Sequence, residues 1–222
     1  MLDLGKDTRT VRAIRRTSGW ICRTFFRIEH RGVENIPPRG PLIIAANHQT
    51  YFDPFFICLH VYCKTHYMTW HKTFRIPGLA QWIRWLGAFP VNIDRSDKQA
   101  IRRSLDILEA GDMLIIFPEG GRSRAGALDP FKLGMAQLAL TAGVPIMPVT
   151  LHGGDQVWSP RQVLPRTGTI RVRYHPVLPV EPLAGTDKAE ARARRTALTR
   201  QVREVIGGGL EEFERDRERL KL

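Results

Sequence analysis

At 222 residues the chain is long enough for one domain that buries most of its apolar surface and too short for two full ones. Its 34 Lys and Arg against 22 Asp and Glu give a formal charge of +12, which favours nucleic acid, anionic lipid headgroups or an acidic carrier protein as partners without choosing among them. Apolar stretches such as Pro54 to Tyr62 and Met113 to Phe117 fall well below the roughly 18 residues needed to cross a bilayer, so any membrane contact is expected at the surface. The cysteines, Cys22, Cys58 and Cys63, form no paired framework, and the N-terminus lacks the apolar run and cleavage site of a secretory signal, so a reducing, cytoplasmic setting is expected.

Taken in chain order, residues 1–26 come first. On a helix of about 100° per residue, Val11, Ile14, Ile21, Cys22 and Phe25 gather on one side, and Arg9, Arg12, Arg16, Arg23 and Arg27 on another. A basic amphipathic helix of this kind can lie on an anionic membrane surface, or it can pack on its own domain with a solvated basic face; both readings stay open. Strands are expected at Phe26 to Arg31, Leu42 to Ala46, His66 to Trp70, Ala88 to Ile93, Met113 to Phe117, Ile146 to Leu151 and Thr169 to Val177. Helical periodicity marks Asp97 to Ala110, with Ile101, Leu105 and Leu108 on one side, and Phe131 to Ala142. The alternation predicts a single α/β domain over residues 27–206, with a largely parallel, mixed sheet flanked by helices. Asp187 to Ile206 reads as a charged closing helix, cut by Gly207-Gly208-Gly209 before a polar C-terminal tail over residues 207–222.

In such a sheet ligands gather at the carboxyl edges of the strands. The strand over Leu42 to Ala46 would deliver His48 there, that over Met113 to Phe117 would deliver Glu119, Arg122 and Arg124, and that over Ala88 to Ile93 would deliver Arg95. Five helical positions set two side chains about 140° apart, so His48 and Asp53 meet only if the chain bends between them. Pro54 suits the first position of a helix, which makes Asp53 its N-cap and leaves His48 on the preceding turn. A carboxylate on one imidazole nitrogen fixes the tautomer and leaves the other free to take a proton from an alcohol; with a thioester as acyl donor that alcohol could attack directly. An isolated His-x-x-x-x-Asp is also compatible with a mere cap and a polar turn residue. In the second segment, Phe117 to Arg124, Arg122 and Arg124 with Gly120 and Gly121 make a candidate phosphate site, because arginine binds phosphate bidentately and glycine lets backbone amides approach.

Over roughly Arg27 to Val180 the chain resembles the glycerophospholipid acyltransferases of the 1-acylglycerol-3-phosphate acyltransferase type. The resemblance rests on Asn47-His48 through Asp53, on the stretch from Lys72 through Pro77 and Gly87 to Arg95, on Phe117 to Arg124, and on Val144 to Val149, in family order. It implies that His48 is the general base and Asp53 its orienting carboxylate. It places Arg95, Glu119, Gly120 and Arg122 at positions tied to the acceptor's phosphate; Lys72, Gly121 and Arg124 complete the substrate-binding candidates. One position departs from the family's usual Glu-Gly-Thr-Arg: Gly121 stands where a threonine hydroxyl would be. The implied activity is transfer of a fatty acyl group from acyl-CoA or acyl-carrier protein, acting as donor substrate with no cofactor, to the free hydroxyl of a lysophospholipid. The expected acceptor is 1-acylglycerol 3-phosphate, giving phosphatidate. The expected partners are that lysophospholipid, the donor and an anionic membrane surface, without nucleic acid or metal, and the expected place is the inner face of the cytoplasmic membrane, peripherally bound.

Two rival readings come from the same residues. Gly121-Arg122-Ser123-Arg124-Ala125 approaches the elbow of serine esterases and lipases, but those run Ser, acid, His, and here His48 and Asp53 both precede Ser123. Cys58, His60, Cys63 and His66 approach zinc spacing, which with the basic charge would suit a metal- or nucleic-acid-binding module; yet on one helix Cys58 and His60 point about 200° apart. Trp82 and Trp85, beside Arg75 and Arg84, suit either a membrane interface or acyl-pocket mouth, or a core helix with solvated arginines.

Overall fold

The computed structural model describes Thr17, Trp20 and residues 24–219 apart from 94–96, 124–127, 159–163, 184 and 186. The expected amphipathic helix falls almost wholly outside the described residues, as do Arg95 and Arg124.

The strands are β1 (Phe26–Arg31), β2 (Leu42–Ala46), β3 (Thr65–Trp70), β4 (Ala88–Val91), β5 (Met113–Ile116), β6 (Ile146–His152) and β7 (Gly168–Tyr174). The helices are α1 (Asp53–Cys58), α2 (Leu79–Trp85), α3 (Lys98–Glu109), α4 (Gly134–Ala142), α5 (Gly154–Trp158) and α6 (Lys188–Arg219). The strands form a 7-stranded sheet in the order β1-β7-β6-β2-β5-β3-β4. Its neighbours run parallel except β6 and β7. Strand β2 sits between β5 and β6, with Ile44 opposite Ile115 on one side and Met147 on the other.

Every residue of β2 is buried, because both faces of the sheet are covered and an uninterrupted apolar run is what such a strand needs. Leu42, Ile44 and Ala46 join a core with Phe56, Ile57, Met147 and Leu151. Ile43 and Ala45 join the opposite core with Leu108, Ala139, Val202 and Ile206. Helix α3 is N-capped by Asp97, whose carboxylate accepts from the Ala100 amide at 3.0 Å. Its buried stripe is Ala100, Ser104, Ile107 and Leu108, which leaves Ile101 exposed. In α2, Ala80 and Ile83 are buried and Trp82 stacks on Phe55 at 5.2 Å, so Trp82 serves the core. None of the described helices is long and apolar enough to cross a membrane.

The closing helix departs from expectation. It does not stop at Gly207 but runs unbroken to Arg219. Helix propensity alone would favour a break at consecutive glycines, but packing decides here. Gly209 lies so close to Thr150 and His175 that a Cβ could not fit. Beyond it Phe213 is buried, Glu214 bonds His152 at 2.8 Å, and Asp216 pairs with Arg31 at 2.6 Å. Gly209 is the means by which α6 approaches β6, and the turns that follow are held by side chains from the sheet.

Candidate active site

Beyond β2 the chain enters a loop whose two side-chain amides, Asn47 and Gln49, bind backbone. The Asn47 amide donates to the Leu151 carbonyl at 2.8 Å and its oxygen accepts the Leu151 N–H at 2.8 Å, which ties the loop to β6. Gln49 Oε1 accepts the Gly154 N–H at 2.9 Å. Buried amide groups paired in this way set the loop's position, since leaving them unpaired would cost about 1 to 3 kcal/mol each.

Asp53 is the first residue of α1 and makes no capping bond to the helix that follows. Its carboxylate points back. Oδ2 accepts from the Gln49 N–H at 2.6 Å, the Thr50 N–H at 2.9 Å and His48 Nδ1 at 2.8 Å, and Oδ1 accepts the Thr50 hydroxyl at 2.7 Å. The Asp53 side chain is 1% exposed and that of His48 19%. A carboxylate can only accept, so Nδ1 carries the proton and Nε2 presents a lone pair. The imidazole stacks on Phe117 with centroids 4.1 Å apart and planes 19° from parallel, which fixes the ring's second axis.

The loop after β5 grips the backbone of His48 from both ends. Glu119 Oε1 accepts the His48 N–H at 2.8 Å and Oε2 the Asp129 N–H at 3.1 Å. Ser123 donates its N–H at 2.7 Å and its hydroxyl at 3.0 Å to the His48 carbonyl. The Ser123 hydroxyl thus contacts the peptide of His48 and not its ring, which is no arrangement for a nucleophile and its base. Burial pushes the Glu119 carboxyl up to about 7, against the pull of the two amides; the charges of Asp129 and Asp53 add to the rise. Gly120 adopts φ of 73°, a left-handed conformation that favours glycine, and its open α-carbon lets the Lys132 side chain pass. Gly121 faces open space. The Arg122 guanidinium lies 3.7 Å from the centre of the Tyr51 ring, and its Nη2 donates to Tyr51 Oη at 2.8 Å. Its Nη1 is buried without a partner among the described residues. From Tyr51 a strip of partly exposed rings continues to Trp158, at 5.3 Å, and on to Phe52, at 5.0 Å.

The structure therefore brings His48, Asp53, Glu119, Gly120, Gly121 and Arg122 together at one edge of the sheet. Lys72 is at the same edge, in the 3₁₀ turn His71–Arg75 after β3, with its ammonium 4.7 Å from the centre of the Trp70 ring. The other candidates are dispersed: Cys63 Sγ donates to the Pro38 carbonyl at 2.8 Å, and His66 Nε2 meets Asp112 at 3.1 Å. Among the described residues no His, Cys, Asp and Glu side chains gather in a group that could hold a metal ion. Sequence reasoning misses the roles of Asn47, Gln49, Thr50, Tyr51, Phe117 and the clamp made by Ser123; the polar run Asn47 to Thr50 is the only local hint.

Comparison with known proteins bears on this arrangement. A family profile described as Acyltransferase matches residues 27–152, which include the His48 loop and the Glu119 turn. A 1-acyl-sn-glycerol-3-phosphate acyltransferase of Chlamydomonas reinhardtii is 30% identical over 86% of this chain and 59% of its own length. One from Borreliella burgdorferi is 29% identical over 80% of this chain and 71% of its own. The chain thus spans less than two thirds of the algal relative. The crystal structure of the 1-acyl-sn-glycerophosphate acyltransferase PlsC from Thermotoga maritima matches with a TM-score of 0.73 and 26% identity, over 94% of this chain and 84% of that one. With the profile spanning more than half of its residues and the same fold in a solved relative, the chain belongs to the acyltransferase family that includes the 1-acyl-sn-glycerol-3-phosphate acyltransferases.

Proposed function

We propose that this chain transfers a fatty acyl group from acyl-CoA or acyl-carrier protein to the free hydroxyl of a lysophospholipid, with 1-acylglycerol 3-phosphate as acceptor and phosphatidate as product. The observation that carries the reading is the bond of His48 Nδ1 to Asp53 Oδ2 at 2.8 Å, made to a carboxylate that is already fixed by backbone amides. The names of the relatives point to the same acceptor.

In this mechanism His48 Nε2 takes the proton of the acceptor hydroxyl while its oxygen attacks the thioester carbonyl. The carbon–sulfur bond then breaks, and the departing thiolate recovers the proton from the imidazolium, which Asp53 steadies meanwhile. No acyl-enzyme and no cofactor are required. Arg122 offers Nη1 to the acceptor's phosphate, with Lys72, Arg95 and Arg124 as further cations of the same motifs. Glu119 serves the acceptor indirectly, by tying the His48 amide to the Asp129 amide through its two carboxylate oxygens. Folded His48→Ala protein should lose about 10² to 10⁴ in turnover in a thiol-release assay, the usual worth of a positioned general base. Near-normal turnover would end this reading.

A lysolipid and its diacyl product both reside in a bilayer, so the enzyme must dock to exchange them. The basic amphipathic segment over residues 1–26 is the docking element in this proposal, and the cytoplasmic leaflet its surface. Removing it should reduce co-sedimentation with anionic vesicles and activity on vesicle-borne acceptor, while sparing a dispersed, short-chain one. Undiminished vesicle binding by the truncated protein would assign the segment to packing instead.

A further inference from the structure

We infer that Tyr51 is part of the acceptor's phosphate site, donating its hydroxyl proton to a phosphate oxygen alongside Arg122; the inference rests on the phosphorylated acceptor proposed above. Tyr51 is 59% exposed, yet its ring and oxygen are both engaged by Arg122. A guanidinium has no acceptor, so Tyr51 Oη must accept from Nη2, and its own O–H then remains to be donated. Arg122 in turn spends one face on the ring and one nitrogen on the hydroxyl, and keeps Nη1 buried and without a partner among the described residues. A buried guanidinium N–H left unpaired is costly, and an anionic oxygen is the partner that relieves it best. The two donors belong to groups already in contact, so a single phosphate can take both.

The location suits the chemistry. Tyr51 stands three residues after His48 in a loop pinned to β6, and Arg122 precedes Ser123, whose N–H binds the His48 carbonyl at 2.7 Å. In 1-acylglycerol 3-phosphate the free hydroxyl is on the carbon next to the one that bears the phosphate, so the anion must be held within a glycerol's reach of the base. Trp158 backs the Tyr51 ring at 5.3 Å and limits its swing. The neighbouring turn position offers no side chain: Gly121 has nothing but a backbone there, with open space where a side chain would go. Tyr51 therefore supplies the hydroxyl that the turn itself lacks.

The test compares 1-acylglycerol 3-phosphate with the 1-monoacylglycerol of the same chain, both in the same mixed micelles, and reads the ratio of their kcat/KM values. Tyr51→Phe keeps the ring and its stacking, so folding is not at issue. It should lower the ratio about tenfold through the KM for the phosphorylated acceptor, the worth of one hydrogen bond to a charged group. Adding Gly121→Thr to that variant places a hydroxyl in the open space beside Arg122, and recovery of the ratio would support the assignment. An unchanged ratio in Tyr51→Phe, or equal losses with both acceptors, overturns it while leaving the acceptor reading intact. A wild-type enzyme indifferent to the phosphate overturns the acceptor reading and the Tyr51 site with it.

Discussion

Glu119 and His175 give the fold opposite pH dependences, and replacing either should expose the other. Burial pushes the Glu119 carboxyl from 4.5 to about 7. Within that window the unfolded chain has released the proton and the folded protein still holds it, so stability falls as pH rises and levels off above about 7. A rise of that size is worth on the order of 3 kcal/mol at about 1.36 kcal/mol per unit. His175 behaves in the contrary sense: burial first, then the charge of Arg173, push its imidazole from 6.5 to about 4. It is neutral against the Thr150 hydroxyl, 2.8 Å away. As pH falls through about 6.5 the unfolded chain takes up a proton that the folded protein refuses, so stability drops toward pH 4, again by on the order of 3 kcal/mol. Between about pH 4.5 and 6.5 the two contributions nearly cancel. Glu119→Gln should therefore gain stability steadily as pH rises across that window, and His175→Gln should lose it. Urea denaturation at several pH values reads the slopes, and the constant cost of each substitution only displaces the curves. A Glu119→Gln curve running parallel to the wild type would show that the buried carboxyl titrates normally, and the reasoning would fail.

The Gln49 and Thr50 amides require an acceptor at the position of Asp53 Oδ2, so Asp53→Asn should present its oxygen there and leave the His48 tautomer unchanged. Its turnover should fall about ten- to a hundredfold, from the weaker neutral bond to His48, and not the roughly 10⁴ of a wrong tautomer; kcat of the purified variant decides between them. Gly208 is exposed, with open space where a Cβ would stand, so Gly208→Ala should stabilise α6 by up to about 1 kcal/mol. Gly209→Ala should destabilise by about 1 to 3 kcal/mol, because the methyl would collide with Thr150 and His175; thermal melts of the two variants should shift in opposite directions.

The central strands are legible because their apolar runs are dictated by burial on both faces, and β2 begins and ends where the sequence places it, as does the more polar edge strand β1. The strand ends drift where pairing overrides composition: β3 starts at Thr65, which pairs with Met113, and β4 stops at Val91 opposite Trp70. The glycines of α6 mislead because local propensity takes no account of a sheet surface that rewards a missing side chain. In the site, the His48 and Asp53 pair can be argued from spacing since the two lie five residues apart. The contacts that hold His48 cannot, because they link residues 71, 75 and 104 apart in the chain. No local pattern announces such ties; they exist only once β5, β2 and β6 are neighbours.

That neighbourhood also accounts for why the sheet is parallel where it is. The His48 loop follows β2, the Glu119 turn follows β5, and the backbone that Asn47 and Gln49 bind closes β6 and opens α5. Three adjacent strands running the same way put all of these loops at one edge, where Glu119 and Ser123 reach the peptide of His48 from one flank and β6 anchors Asn47 from the other. Reversing any one of the three would carry its loop to the far edge and leave His48 without those hydrogen bonds. The sheet's reversal falls instead between β6 and β7, and β7 contributes none of these contacts. The geometry of the imidazole is thus set by backbone hydrogen bonds across the centre of the sheet, while Tyr51 and Gly121 lie outside that set of bonds.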